Sequence, residues 1–166
     1  MSADHVRRVG LPRVAGAVAL AAFLTVSGVA ASAGEEHHVA IPVDELKFNP
    51  GPPTLPRGAE IAVLLGSPAE EGPFVIRLKF PADYEVPPHL HAKEEHVTVI
   101  SGAFGMSTGK MHDRALAPLL PEGSFVRIPA DTAHFAWTDR ETVVQINGMG
   151  PFGVEYVNAE DDPRTQ

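Results

Sequence analysis

Apolar residues along this chain fall into short runs separated by glycine, proline and aspartate. Beyond the first thirty-three residues, no stretch keeps a helical period for more than a turn or two. Short apolar runs bounded by turn-forming residues are typical of β-strands. The sequence predicts eight strands: Ala59–Leu65, Phe74–Phe80, His96–Ile100, Phe104–Ser107, Ser124–Ile128, His134–Trp137, Thr142–Asn147 and Val154–Val157. Eight closely spaced strands predict an all-β fold, a sandwich or barrel that folds back on itself.

Alternation within the strands predicts which side chains face the core, because residues two apart in a strand share a face. In residues 74–80 the even positions are apolar and two basic residues stand between them. Farther along, Glu95 shares a face with Val97 and Val99, whereas His96 lies on the other face. An inward carboxylate is costly unless a positive charge meets it, so Glu95 is a candidate functional residue.

The first thirty-three residues have the pattern of an export signal. Arg7, Arg8 and Arg13 precede an apolar stretch from Val14 to Val29, and Ala31-Ser32-Ala33 forms a small-residue cleavage site. The stretch is rich in alanine and contains polar residues, so it is weak for an anchor of about 20 apolar residues. A cleaved signal peptide, residues 1–33, is therefore the prediction, with a periplasmic or secreted product that has no stable membrane insertion. The Arg-Arg pair leaves the twin-arginine and general export routes both open.

Removing that segment leaves 133 residues, which suits one domain. We assign residues 34–157 to a single β-domain and residues 158–166 to a polar tail. The domain and tail together keep ten basic and twenty acidic residues, so the basic surface typical of nucleic-acid binding is absent. The expected partners are a small-molecule substrate or ligand and a second copy of the chain. Cysteine is absent, so any metal must be bound by nitrogen and oxygen.

Two histidines stand two positions apart directly after Pro87-Pro88. In an extended chain the imidazoles of His89 and His91 project to the same side. Glu95 can add an oxygen ligand, and a cation would neutralise its inward charge. His134 offers a fourth ligand from a separate strand. A single HxH pair is weak evidence, since histidines in proline-rich loops are often solvated. The set of four residues together predicts a metal site.

These residues resemble the two motifs of the cupin superfamily. The first motif is HxH, three or four residues, Glu, six residues and Gly, and it is matched by His89, His91, Glu95 and Gly102. The second is Gly, five residues, Pro-x-Gly, two residues, His, three residues and Asn, and it is matched by Gly123, Pro129 and His134. Asp83 and Asp131 stand where the motifs have Gly, and Thr138 stands where the second motif ends in Asn. These departures concern turns and strand ends.

The resemblance implies a single cupin-type β-barrel, or jelly roll, that is often dimeric. It implies one divalent transition metal near the barrel mouth, bound by His89, His91, Glu95 and His134. Fe²⁺ or Mn²⁺ is the favoured ion, and Zn²⁺, Ni²⁺ and Cu²⁺ are alternatives. Cupins with three His and one Glu include dioxygenases, decarboxylases, isomerases and members without known activity. Two hypotheses follow: a metal-dependent oxygenase or related enzyme for a small organic molecule, and a non-catalytic periplasmic module that binds a small molecule or metal.

The sequence identifies no catalytic acid or base beside the metal. Five residues are candidates for the pocket wall, although each would fit equally well as an ordinary interior or surface residue of the barrel. They are Phe104, Met106, Phe135, Gln145 and Asn147.

Four further signals are weaker. Residues 105–109 match the GxSxG pattern, but that motif needs a strand-turn-helix context that the sequence does not predict. His96 is expected on the outer sheet face or at a dimer interface. His112 is expected at the surface, and His37-His38 as a solvated pair.

Overall fold

The computed structural model describes residues 38–165. The predicted signal peptide lies outside these residues, so its interpretation stays a prediction. From Val39 onward the chain forms one unit whose regular elements are mostly strands. The strands are β1 (Asn49–Pro50), β2 (Glu60–Leu65), β3 (Gly72–Phe80), β4 (Glu85–Leu90), β5 (Glu95–Ser101), β6 (Ala103–Thr108), β7 (Leu119–Pro121), β8 (Phe125–Ile128), β9 (His134–Thr138), β10 (Thr142–Gly150) and β11 (Glu155–Tyr156).

The strands form two sheets. One sheet has six strands in the order β1-β2-β3-β10-β5-β8, and the other has five in the order β11-β4-β9-β6-β7. All the pairings are antiparallel. The predicted all-β jelly roll is therefore confirmed. Each of the eight predicted strands overlaps an observed one, and β1, β4 and β7 were not predicted.

The core lies between the inner faces of the two sheets. The predicted apolar face of β3 is confirmed, since Phe74, Ile76, Leu78 and Phe80 are all buried. Strands β5, β10 and β6 add further buried side chains: Val97, Val99, Val144, Ile146 and Phe104. Burying each such side chain contributes about 1.5–3 kcal/mol. The two sheets are thus held together by an apolar interior. Burying a polar group in this interior costs free energy.

Asp83 and Asp131 keep the turn shape of the glycines that they replace. Their φ angles are 56° and 57°, in the left-handed region that glycine enters most easily and that Asp tolerates better than most residues. Thr138, which replaces the motif's Asn, is fully buried. Its hydroxyl donates to the Pro81 carbonyl at 2.7 Å and accepts from the Tyr84 amide at 3.3 Å, so it fixes the turn that leads into β4.

Within residues 38–165 the helical elements are short 3₁₀ segments: Val43–Glu45, Arg114–Leu116, Ala159–Asp161 and Pro163–Thr165. The last two lie in the polar segment after β11, where the Arg164 guanidinium donates to the Val154 carbonyl at 3.2 Å. None of the helices formed by residues 38–165 has the length and apolar character needed to span a membrane.

Candidate metal centre

Strand pairing brings His89 and His134 together. His89 lies near the end of β4 and His134 is the first residue of β9, and the two are directly opposite in the antiparallel ladder. Directly opposed residues in such a ladder have side chains in contact. The two imidazole centroids are 4.2 Å apart, and both residues are at least 95% buried.

His91 joins this pair from just beyond β4. Its ring centroid lies 5.0 Å from that of His89 and 5.2 Å from that of His134. The Asp131 amide donates to the His91 carbonyl at 2.8 Å, which ties the end of β4 to the turn before β9. One ring nitrogen from each of the three histidines lies within 4.8 Å of the other two. Three separated sequence positions thus converge on one point.

Glu95 reaches the same point from the other sheet. It is the first residue of β5 and is 4% exposed, with Val97 and Val99 on the same inner face as predicted. Its Oε2 lies 3.3 Å from His134 Nε2 and 3.7 Å from His91 Nε2. The geometry therefore brings all four sequence-predicted residues into one cluster.

Each histidine has its Nδ1 engaged by a main-chain carbonyl. The acceptors are the carbonyls of Pro87 for His89 at 2.7 Å, Gly153 for His91 at 2.6 Å and Thr132 for His134 at 2.9 Å. Because a carbonyl can only accept, Nδ1 carries the proton and Nε2 carries the lone pair. Carbonyl partners of this kind orient histidines that bind metals.

Three buried atoms of the cluster are left without a hydrogen-bond partner: His91 Nε2, His134 Nε2 and Glu95 Oε2. All three are acceptors in this tautomer, so they cannot satisfy one another. Unpartnered buried polar atoms are rare, because each costs about 1–3 kcal/mol. A divalent cation among them would satisfy all three at once, so the donor set fits a metal of nitrogen and oxygen preference.

Burial also keeps two of the rings neutral. It lowers the pKa of His89 well below the ordinary 6.5, and the neighbouring His134 and His91 rings lower it further. Burial likewise lowers the pKa of His91, against an opposing effect of Glu95. Neutral imidazole is the form that binds metals, so the site is prepared for a cation at neutral pH.

The cluster forms part of the wall of a cavity of about 250 Å³ between the sheets. Apart from the four clustered residues and Thr54, every lining side chain is apolar. Of the five candidate lining residues, Phe104 and Met106 contribute to the wall, whereas Phe135, Gln145 and Asn147 do not. Because Val144 and Ile146 face inward on β10, Gln145 and Asn147 project from the outer face.

Phe152 is a site residue that the sequence interpretation missed. Its ring stacks on that of His91 with centroids 4.1 Å apart and an interplanar angle of 22°. Its amide donates to the Pro68 carbonyl at 2.6 Å, and the next carbonyl, of Gly153, holds His91 Nδ1. The only sequence signal was an aromatic residue in the glycine- and proline-rich loop after β10.

The weaker signals lie away from the cavity. His96 is on the outer sheet face, as predicted, and its Nε2 lies 2.7 Å from Glu94 Oε1. His112 is less exposed than predicted: its ring packs edge-on against Phe135, and its Nδ1 is 3.8 Å from Glu85 Oε2. His37 lies outside the described residues, and His38 is exposed at their start. The GxSxG segment lies in and directly after β6, which pairs antiparallel to β9. The next helical element is the three-residue 3₁₀ segment Arg114–Leu116, and it is not the helix that must directly follow a nucleophile elbow.

The jelly roll, the paired motifs and this cluster define the class of protein as a cupin. Residues 36–153 match the family model of the ChrR cupin-like domain, and the chain belongs to that family. No curated protein sequence matches the chain significantly.

Solved structures share the fold at low sequence identity. The polyketide cyclase RemF from Streptomyces resistomycificus has a TM-score of 0.60 and 16% identity, over 77% of this chain and 91% of that one. A putative acetylacetone dioxygenase from Methylibium petroleiphilum PM1 has a TM-score of 0.60 and 18% identity, over 78% of this chain and 87% of its own. An RmlC-like cupin from Shewanella frigidimarina NCIMB 400 has a TM-score of 0.54 and 13% identity, over 69% and 91% of the two chains.

Proposed function

We propose that this protein is exported and binds one divalent transition metal through His89, His91, Glu95 and His134, and that it acts on a small organic molecule as a metal-dependent oxygenase or related cupin enzyme. The observation that carries the proposal is the group of buried acceptors without partners, His91 Nε2, His134 Nε2 and Glu95 Oε2. A cation offsets the cost of burying them.

The proposed catalytic role favours Fe²⁺ or Mn²⁺. Four protein ligands saturate a tetrahedral ion but leave two positions open on an octahedral one. Such an ion supplies a Lewis acid or a redox centre for dioxygen chemistry. The chain contributes the rest: the carbonyls of Pro87, Thr132 and Gly153 hold the ring orientations, and the apolar cavity wall excludes water from the site.

Two of the structural relatives support a small-molecule substrate. One is a polyketide cyclase and the other is a putative acetylacetone dioxygenase, so by name both act on small organic compounds. A cavity of about 250 Å³ is of a size for such a compound or a part of it.

A second candidate function is capture of a ligand or metal without turnover. It is favoured by the cavity wall, where the proposed ligands are the only ionisable side chains. A wall without a further acid or base offers no side chain for proton transfer at neutral pH.

Metal content and dioxygen uptake test the proposal. The exported wild-type protein and His134→Ala would be assayed by elemental analysis and by oxygen consumption with small phenols, keto acids and dicarboxylates. His96→Ala is the matched control, because His96 lies on the outer face. One metal per chain in wild type and His96→Ala, lost in His134→Ala, is the expected result. Metal-dependent uptake supports the enzyme, tight ligand binding without turnover supports the binding module, and no metal in the wild type overturns both.

Export and assembly are tested on the same sample. The intact mass of the periplasmic or secreted product should correspond to a chain that starts near Gly34. The homodimer that the cupin resemblance implies should appear as twice that mass in light scattering.

A further inference from the structure

The wall of the cavity beside the proposed ligands carries no cationic side chain. Besides Glu95 and the three histidines, its one polar member is Thr54. Two basic residues that lie between lining residues in the sequence are engaged elsewhere. Lys93 donates to the Gly150 carbonyl, and Arg77 donates to Gln145 at 3.3 Å on the outer face of the sheet. A negative charge on a ligand can therefore be balanced only at the metal.

The charges at that point leave room for one anionic group. A divalent ion and the Glu95 carboxylate sum to a single positive charge, because the histidines bind as neutral rings. One negative group on the ligand cancels it. A second negative group, projecting into the apolar part of the cavity, would be buried without a partner, which is unfavourable in a medium of low polarity.

The apolar part of the cavity is also shaped by aromatic and flexible side chains. Phe152 presents a ring beside His91, and Met106 and Leu55 lie in the same wall. Such a surface gains free energy from contact with hydrocarbon or aromatic groups. It offers an ionised group neither a hydrogen bond nor an opposite charge to offset the loss of hydration.

From these charges and this wall we infer that the ligand binds as a monoanion, through oxygen donors at one end, and that the rest of it is an uncharged apolar body. This inference rests on the metal site proposed above and names the substrate class of that site. It excludes dicarboxylates and phosphorylated compounds as substrates.

A matched pair of 2-oxo acids tests the inference. Both 5-methyl-2-oxohexanoate and 2-oxoglutarate have the same keto-acid head, but an isopropyl group in one replaces the distal carboxylate of the other. Their affinities would be measured by calorimetry on the Mn²⁺-loaded protein, after manganese binding itself has been measured. The expected result is binding of 5-methyl-2-oxohexanoate that is tighter by about tenfold or more.

A substitution at the cavity wall provides the second arm. Thr54→Lys adds a cation to the half-buried wall, and it should raise the affinity for 2-oxoglutarate relative to that for 5-methyl-2-oxohexanoate. The control is Thr98→Lys, at a half-buried position on the outer face of β5 that lies outside the cavity wall, and it should leave the ratio unchanged.

The outcomes separate the two proposals. If neither manganese nor any other divalent transition metal binds, the proposed function fails and this inference fails with it. If manganese binds and 2-oxoglutarate binds as tightly as its isopropyl analogue, only the inference is overturned. If the wild type prefers the analogue and Thr54→Lys reduces that preference, the inference is supported even where no turnover is seen.

Discussion

Glu94 and Glu95 have the same side chain in opposite environments. Glu94 is partly exposed and contacts Arg127 and His96, and these hydrogen bonds hold the pKa of its carboxyl below the usual range. Glu95 is 4% exposed, and its Oε2 has no hydrogen-bond partner. A carboxylate in the second environment is a burden on the fold unless a cation meets it. Substituting each of the two glutamates in turn therefore distinguishes a role of the Glu95 carboxylate in metal binding from a role in stabilising the fold.

Replacing Glu95 by Gln should stabilise the metal-free protein and weaken metal binding. Gln removes an unpaired buried charge, and its amide can donate to a nearby Nε2 that carries a lone pair, a gain of about 1–2 kcal/mol at about pH 8. Metal affinity should fall by more than the roughly 10–100-fold typical of changes around metal ligands. Urea unfolding and metal titration measure the two effects.

Glu94→Gln is the control for that substitution and should leave metal affinity unchanged. A Glu95→Gln protein that loses stability without metal would show that the carboxylate is held by the fold itself, against the metal-site proposal.

The backbone conformation of Asp131 can also be tested by substitution. Its φ of 57° is unfavourable for most side chains, and its amide holds the His91 carbonyl. Asp131→Val should cost about 1–2 kcal/mol, because a β-branched side chain fits the left-handed region poorly, whereas Asp131→Gly should be neutral or stabilising. The urea midpoints of the two variants measure this. Equal losses in both would mean that the aspartate side chain matters and its φ does not.

The sequence predicted the four clustered residues because motif spacing and strand alternation depend on residue type alone. It did not predict the carbonyls that hold each Nδ1, since any residue can supply a carbonyl and its direction depends on the loop. It missed Phe152 for a related reason. A loop aromatic has no periodic pattern, and its contact with His91 arises only when the segment after β10 packs against the end of β4.

At the scale of elements, β4 was not predicted as a strand because it contains Pro87 and Pro88. Proline donates no hydrogen bond to a ladder, so such a segment is usually excluded from a central strand. Here the pairing of β4 with β9 shifts register between Val86 and His89, which is where the prolines lie. Because the register shifts there, the two prolines are not at positions where the ladder needs an N–H donor, and His89 still lies opposite His134.

The contact between β6 and β9 depends on the absence of a side chain at Gly105. A Cβ at this position would lie 2.1 Å from the Trp137 indole nitrogen, which itself donates to the Ala117 carbonyl at 3.1 Å. Gly105→Ala should therefore displace the indole and destabilise the protein by about 1–3 kcal/mol. Thermal unfolding followed by tryptophan fluorescence measures both effects.

Gly153→Ala is the control, because nothing lies within 4 Å of a Cβ there. If Gly105→Ala unfolds at the wild-type temperature with an unchanged emission spectrum, the close packing of β6 on β9 is not a source of stability.

At the scale of the whole molecule, the jelly roll was predictable because its strands are short and alternate clearly. The alternation that places Val144 and Ile146 inward also places Gln145 and Asn147 outward, so the latter pair could have been excluded from the pocket on pattern alone. The extent of the cavity was not predictable. It depends on how far apart the two sheets lie, which is a property of the packed core and of no single strand.

The stability of the whole metal-free molecule should depend on pH through its buried histidines. The pKa of His89 and that of His91 are lowered in the fold, chiefly by burial, whereas both return to about 6.5 on unfolding. The unfolded chain thus binds more protons in acid, so stability is complete above about pH 6.5 and falls below it, by up to about 1.4 kcal/mol per pH unit for each histidine. Urea unfolding between about pH 8 and pH 5 measures this in a window where carboxylates with ordinary or lowered pKa values stay ionised. Bound metal should raise stability most at the high-pH end, where protons compete least. A metal-free protein equally stable across this window would mean that His89 and His91 are not held neutral by burial.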